Sequence, residues 1–564
     1  MIRRILRKQK IKNANFFVEP DEIFLDSKNL QNFDRQQFEG RIEKPISKKT
    51  IFFVGFFFLL FLVIFSTRLG YLQIEKGYAY LNRSQNNILE KQIIFSDRGI
   101  IYDRNKVELA WNKKRDDLPT TIRSYISPGF SHVLGYVSYP TQDKSGNYWQ
   151  SEFIGKDGLE KQYNQELRGV NGSKIVEIDA RKIIHSENIV NAPSRGVDLI
   201  TTIDSRIQSE LYTLIKNLSA SNSFSGGAGV LINIKNGEVL TSVSFPEYDS
   251  EVLSLGKDTE KIQNYLKDKR KVFLDRTISG LYVPGSIVKP FFAIGALTEG
   301  IIDPYKKILS TGSISIPNPY LKDQETVFKD WKAHGWVDMR QALAVSSDVY
   351  FYEIGGGFQG QKGLGIVNIE KYASLFGIGQ KTGIDLPDEK SGVIPSPEWK
   401  IKNFNGEVWR IGDTYHTVIG QYGFQVTPME MARAISALAN YGTLITPHYI
   451  LGDKEKENII SKINFKKEDF NTIHEGMRES VLVGTSVLLN VPYIKVASKT
   501  GTAQLGINKN KVNSWIVGFF PYENPQYAFT IMMEAGPSSN GVGASSIMRQ
   551  LLDWMSINTP EYFE

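Results

Sequence analysis

At 564 residues the chain has material for three or four domains and a large core. Its 67 Lys+Arg against 61 Asp+Glu leave a formal charge of only +6, too dilute for a protein that coats nucleic acid, and no basic low-complexity tail is present. Zero cysteines exclude disulfides, thiolate nucleophiles and cysteine-ligated metals, and six scattered histidines argue against a zinc cage.

Residues 1–49 are polar, rich in Lys and Asn and without sustained periodicity, which reads as a disordered cytoplasmic tail. From Ile51 to Phe65 the run IFFVGFFFLLFLVIF is apolar on every side of a helix, so a membrane anchor over 50–72 is expected rather than a core helix. About fifty polar residues precede it and no small-residue cleavage site follows, so the anchor is expected to stay attached. Arg41, Lys44, Lys48 and Lys49 lie before the span, against Arg68 and Lys76 with Glu75 after it; the N-terminus is expected inside and everything beyond about Gly70 outside.

Residues 73–200 are strand-like and turn-rich, with a strand over Gln92 to Tyr102, a turn at Asp103-Arg104-Asn105-Lys106 and a strand over Val107 to Trp111. A Pro/Ser/Arg/Gly cluster at Pro193 to Gly196 marks the boundary with a second region, 201–564, which begins with a helix over Ser205 to Leu218. Ala228 to Ile234 and Val239 to Ser244 read as a hairpin closed by a type I′ turn at Asn236-Gly237. Further strands are expected over Tyr493 to Ser498, Ser514 to Phe520 and Tyr527 to Glu534, with helices over Phe291 to Glu299, Met339 to Tyr352 and Pro428 to Asn440 between the two strand sets. Strands at both ends of a domain with helices inserted between them predict an α+β fold, an antiparallel sheet flanked by helices.

Within Tyr282-Val-Pro-Gly-Ser286-Ile-Val-Lys289-Pro, Ser286 and Lys289 are three apart, one helical face. A serine hydroxyl needs a base to become a nucleophile, and a lysine serves only when burial or a second cation lowers its pKa from ~10.4. The Pro284-Gly285 break before the helix leaves backbone N–H groups that could polarise an attacked carbonyl. The bland reading of Ser286 is a helix cap beside a solvated lysine. Ser254 and Lys257 repeat the spacing without the break or the apolar helix, a surface coincidence. Ser346-Ser347-Asp348 interrupts an apolar helical run, and hydroxyls there need partners or a cleft. Lys499-Thr500-Gly501-Thr502 ends a strand, whereas Lys381-Thr382-Gly383 lies in a loop and reads as structural.

Ser-x-x-Lys, Ser-x-Asp and Lys-Thr-Gly-Thr in that order resemble the penicillin-binding proteins and serine β-lactamases. Arg98-Gly-Ile-Ile-Tyr-Asp-Arg104, Gly155-Lys-Asp-Gly-Leu-Glu160, Arg276-Thr-Ile-Ser-Gly280 and Gly420-Gln-Tyr-Gly423 extend the likeness to the class B penicillin-binding proteins from about residue 70 to the end. The resemblance implies one anchor, a non-catalytic pedestal over 73–200, and a transpeptidase domain over 201–564 built on a five-stranded antiparallel sheet. Asp348, where division-type relatives carry asparagine, leans toward the elongation type, the one resembling penicillin-binding protein 2. Lys106 departs from the family's glycine, and only about twenty residues separate Trp111 from His132, so the pedestal's head is shortened.

By resemblance, Ser286 is the acylated nucleophile, Lys289 its base, Ser346 a proton relay and Asp348 the residue that orders it. Lys499 keeps Lys289 neutral, Thr500, Gly501 and Thr502 bind the substrate carboxylate, and the backbone N–H groups of Ser286 and Thr502 form an oxyanion hole. No cofactor or metal is implied. The reaction is D,D-transpeptidation of peptidoglycan stem peptides, with β-lactams as acylating inhibitors, a multi-spanning glycan polymerase as partner and the bacterial cytoplasmic membrane as location. The alternatives are a serine β-lactamase or β-lactam sensor, a division-type transpeptidase, and a membrane scaffold with no enzymatic activity.

Overall fold

The computed structural model describes residues 46–86, 89–114, 120–178, 184–321, 323–452, 459–506 and 508–563. The expected disordered tail falls almost wholly outside them. The chain divides into two compact units, Met1–Leu89 and Glu90–Glu564. In the first, helix α1 (Lys48–Gly70) is capped by the Ser47 hydroxyl on the amide of Thr50, has no buried residue, and carries Arg68 in its last turn. It continues through a π-helical turn at Tyr71–Glu75, giving a 28-residue helix, Lys48–Glu75, long and apolar enough to cross a membrane.

The second unit begins with short sheets. One is three-stranded, with Gly172–Ile178 between Leu89–Ile94 and Ile184–Asn191; the other runs in the order Leu199–Ile200, Ile101–Tyr102, Glu108–Lys113, Ile122–Tyr125. The continuous strand expected over 92–102 is therefore broken. Residues 95–100 spend their backbone on neighbouring loops, with Gly99 N–H on Leu167 O at 2.7 Å and Ile100 N–H on the Asp198 carboxylate at 2.6 Å. Beneath these sheets Glu160 is fully buried and bridges Arg98 (2.5 Å) and Arg123 (2.7 Å), themselves about 1% exposed. Removing one partner of such a buried pair costs roughly 3–5 kcal/mol, which accounts for a structural use of the Arg98 and Gly155-to-Glu160 runs.

The larger part is the α+β domain. Helix α2 (Ser205–Asn222), capped by Asp204, covers strands β1 (Gly226–Asn233) and β2 (Val239–Phe245). Helix α3 (Lys289–Thr298) follows a 3-10 turn at Gly285–Val288, and Pro290 in its first turn forfeits no helical hydrogen bond. Helices α4 (Met339–Val345), α5 (Asp348–Gly356), α6 (Pro428–Ala439) and α7 (Lys467–Leu482) come next, then β3 (Ala497–Leu505), β4 (Lys511–Phe520), β5 (Tyr527–Pro537) and helix α8 (Ala544–Asn558). The sheet order is β2-β1-β5-β4-β3, antiparallel throughout, so strands from both ends of the domain meet at the β1–β5 pair. The core on one face gathers α3, α4, α5 and α6; on the other, α2 and α8 pack over β1, β4 and β5.

Four local readings need correction. The β1–β2 turn is not type I′: Gly237 has φ of 83° but Asn236 is not left-handed, and Gly237 N–H reaches back to Asn233 O at 3.0 Å. The Asn233 and Asn236 side chains accept from Lys235 and Glu238 amides, widening the turn. The single helix expected over 339–352 is two, because Ser346 sits at φ 61° and Ser347 caps α5. The strand expected to end before Lys499 instead runs through it, from Ala497 to Leu505. Ser254 is not on the surface but buried, accepting from the Val137 amide at 3.2 Å.

Candidate active site

Three backbone approaches assemble the site. Gly285 has φ of 60°, and a Cβ there would stand 3.1 Å from Thr502 O. Gly285 N–H bonds Gly420 O at 3.0 Å, and a Cβ on Gly420 would fall 2.2 Å from Gly285 O. A Cβ on Gly501 would meet Ile287 at 2.8 Å and Pro284 O at 2.9 Å. Only glycines allow strand β3, the 284–287 turn and the Gly420 loop to touch. Two further ties fix the turn: Tyr282 pairs its backbone with Val426 (3.0 and 2.9 Å), and the Trp515 indole donates to Val283 O at 3.0 Å.

Ser286 sits half-buried on the 3-10 turn, one turn before Lys289. Lys289 is fully buried; its ammonium donates to Asp348 Oδ1 at 2.6 Å and to Ser346 O at 2.9 Å, stands 3.4 Å from Ser346 Oγ, and lies 5.1 Å over the Phe351 ring. The helix break at Ser346 makes this possible, since a continuous helix would keep the Ser346 carbonyl for its own ladder. No hydrogen bond joins Ser286 to Lys289 among the described residues; the lysine is held by the Ser-x-Asp segment.

Lys499 is also fully buried and donates to its neighbour's carbonyl, Thr500 O, at 3.0 Å. Burial first, and the charge of Lys289 second, push its ammonium well below the usual lysine range, with Asp348 opposing them. Both buried amines thus lie in the field of one carboxylate, and it is Lys289 that hydrogen-bonds it. Thr500 and Thr502 alternate with Lys499 along β3; Thr502 is exposed, and Thr500 Oγ1 donates to Thr485 Oγ1 at 2.6 Å.

Asp330 was not legible in the sequence. Its buried Oδ2 accepts from the Ser347 hydroxyl (3.0 Å), the Val349 amide (3.0 Å) and Ser310 Oγ (3.3 Å). It therefore fixes both residues flanking Asp348. His334 Nε2 stands 3.6 Å from its other oxygen, and burial pushes that imidazole down toward its neutral form. Asp330 lies about twenty residues before the motif it supports, in an Asp-Trp-Lys run with no catalytic spacing, so only the fold reveals it.

Residues 227–553, more than half of the chain, match the penicillin binding protein transpeptidase domain, and residues 118–201 match the penicillin-binding protein dimerisation domain. The chain belongs to the penicillin-binding protein family. Among its relatives, the peptidoglycan D,D-transpeptidase MrdA of Acinetobacter baumannii is 28% identical over 91% of this chain and 88% of its own length. The solved structure of Pseudomonas aeruginosa PBP2 in complex with WCK 5153 is 30% identical, with a TM-score of 0.68 over 84% of this chain and 98% of that one. Helicobacter pylori PBP2 in complex with MreC is 28% identical, with a TM-score of 0.68 over 84% of this chain and 99% of that one. A penicillin-binding protein with a five-stranded antiparallel sheet and one long apolar N-terminal helix is an acyl-transfer enzyme carried on a membrane anchor.

Proposed function

We propose that the chain cross-links peptidoglycan as a D,D-transpeptidase of the elongation type, using Ser286 as the acylated residue. The observation that carries the reading is the buried Lys289–Asp348–Ser346 junction one turn from Ser286, with a second buried amine, Lys499, on the adjoining strand. Ser286 Oγ attacks the carbonyl of the penultimate D-alanine, its proton passes to Lys289, and the carbonyl oxygen takes negative charge facing the backbone N–H groups of Ser286 and Thr502. As the tetrahedral species collapses, the C–N bond breaks and D-alanine leaves with a proton relayed through Ser346. An amine of a second stem peptide then attacks the ester, restoring the Ser286 hydroxyl.

Because the resting Lys289 is ion-paired, its proton must go elsewhere before it can serve as base. A substrate carboxylate arriving at Thr500, Gly501 and Thr502 pairs with Lys499 and favours its charged form. The proton that Lys499 takes up comes from Lys289, whose amine is left neutral for Ser286. Substrate binding so switches on the base.

The same reading assigns 1–49 to a cytoplasmic tail, 50–72 to the anchor in the cytoplasmic membrane with the N-terminus inside, 73–200 to a pedestal and 201–564 to the catalytic domain. Lys48 and Lys49 at the start of α1 support that orientation. Exposed Val170, Ile189, Val190 and Val197 support the pedestal as the face for protein partners, a membrane glycan polymerase among them.

The test supplies the full chain in detergent with pentapeptide-bearing glycan strands and labelled D-alanine as acceptor. The expected result is label entering the stem peptides with release of unlabelled D-alanine, abolished by Ser286→Ala. Release of D-alanine with neither incorporation nor cross-linked stem peptides would mean a hydrolase, and absence of release would remove the enzymatic reading.

A further inference from the structure

The turn at Gln421 to Phe424 has a backbone that its sequence does not favour. Tyr422 has φ of 61° and Gly423 of 80°, and Phe424 N–H reaches Gln421 O at 3.4 Å. Glycine and asparagine enter this left-handed region readily; a large aromatic residue there is an outlier that persists only where its surroundings fix it. The turn lies between two ties to the segment that carries Ser286. Before it, Gly420 O accepts from Gly285 N–H at 3.0 Å; after it, Val426 and Tyr282 exchange backbone hydrogen bonds at 3.0 and 2.9 Å.

Four rings hold Tyr422. Phe404 stacks on it at 5.7 Å and 9°, Trp399 and Trp409 meet it edge-on at 5.8 and 5.9 Å, and His416 lies at 6.4 Å and 20°. Trp399 also closes the space beside Gly423, where a Cβ would overlap the indole. Trp399 belongs to the helix Pro397–Asn403 and His416 to the helix Ile411–Val418. An ion pair joins these two helices: the buried Lys400 ammonium donates to Asp413 Oδ2 at 2.7 Å and stands 5.8 Å from the centre of the Tyr422 ring. Burial first, and then the Asp413 carboxylate, push the Tyr422 phenol above its ordinary range. His416 packs in turn on Phe328 at 5.2 Å, and Phe328 on Tyr352 at 6.0 Å, a residue of α5, the helix that begins with Asp348. The rings therefore run from the loop behind Ser286 to the helix that holds the partner of Lys289.

We propose that Tyr422 is a positioning residue for acylation: clasped by these rings, it holds the 420–426 loop against Tyr282 and Gly285 and so sets where Ser286 stands relative to Lys289. The inference rests on the reading of Ser286 as the acylated residue. Tyr422 acts through the backbone of Gly420 and Val426, not through its hydroxyl. The proposed carboxylate site on β3 is held by its own pairing with β4, so loss of the clasp acts on the bond-forming step and leaves non-covalent binding near its parent value.

Stopped-flow kinetics with a fluorescent penicillin on the full chain in detergent separate the dissociation constant of the first complex from the acylation constant that follows. Tyr422→Asn and Tyr422→Gly accept the positive φ more readily than tyrosine, so they keep the turn and remove the clasp. Both should lower the acylation constant at least about tenfold and change the dissociation constant less than about threefold. Tyr422→Phe keeps the ring and should stay within about threefold of the parent in both. Urea unfolding establishes that each variant is folded under the assay conditions. A folded Asn or Gly variant that acylates within about threefold of the parent, a loss confined to the dissociation constant, or a Phe variant as slow as the Asn variant would overturn the positioning role. Unfolding of both the Asn and Gly variants would also overturn it, since the residue would then be merely structural. A parent chain that forms no adduct at all would instead overturn the reading of Ser286 on which the proposal rests.

Discussion

Lys-Thr-Gly occurs twice in this chain, and the two copies share nothing but their letters. Lys499 lies on β3 with no exposed surface, its ammonium depressed by burial and by Lys289, and Gly501 lets the strand touch the 284–287 turn. Lys381 is exposed in a loop; its carbonyl accepts from Arg433 at 3.2 Å, and the buried Glu389 collects the Thr382 amide at 2.7 Å and the Gly383 amide at 3.1 Å. In the first copy the backbone is spent on a strand and the ammonium is buried, donating to the Thr500 carbonyl. In the second the backbone and hydroxyl are spent on a carboxylate that shapes the loop. Three residues acquire a role from what surrounds them, and burial of the amine is the physical difference.

The largest expected effect breaks the first copy. Lys499→Ala should slow penicillin acylation at least about a hundredfold, ~2.7 kcal/mol of lost transition-state stabilisation, measured as a second-order rate with a fluorescent penicillin. Next comes Asp330→Ala, which takes one partner from the Ser347 hydroxyl and the side-chain acceptor from the Val349 amide beside Asp348. Acylation should fall about tenfold or more, and Asp330→Asn, which keeps one acceptor oxygen, should recover part of it. A uniform loss of stability without a change in acylation rate would make Asp330 merely structural.

A pH experiment sharpens the contrast. Lys499 releases its proton more readily folded than unfolded, so the unfolded chain binds more protons between the depressed value and 10.5. Stability therefore rises with pH across that window. Lys499→Met should be more stable than the parent at pH 7, with the gap shrinking toward pH 10 in urea unfolding. A gap that widens with pH would mean that Lys499 is stabilised in its charged form. The smallest effect belongs to Lys381→Ala, whose acylation rate should change less than about threefold, as surface substitutions usually stay within about 0.5 kcal/mol. Equal impairment of the two lysine variants would mean that the cleft does not lie on β3.

Much of this arrangement was legible in the residues. The apolar run at 51–65, the two strand sets with helices between, and the Pro-Gly break before Ser286 each have a local physical cause, and local causes survive folding. What the sequence withheld depends on partners far along the chain. Met339 to Tyr352 reads as one helix with three small polar residues in an otherwise apolar run, yet Asp330 and Ser310 draw Ser347 out of it and Ser346 turns left-handed. Asn236-Gly237 carries the letters of a tight turn, but two asparagine side chains hold a wider one. The ion pair of Lys289 with Asp348 joins residues 59 apart, so neither that pairing nor the lowering of Lys499 could be read from spacing.

The expectation to test is that Ser286, on a helix start one turn before the buried Lys289, is the serine that becomes acylated. Intact-mass analysis of the full chain after incubation with benzylpenicillin, followed by peptide mapping, tests it most directly. One adduct per chain is expected, persistent over the assay, on the peptide containing Ser286 and absent from Ser286→Ala. An adduct on Ser346 or Ser254, or label retained by Ser286→Ala, would contradict it.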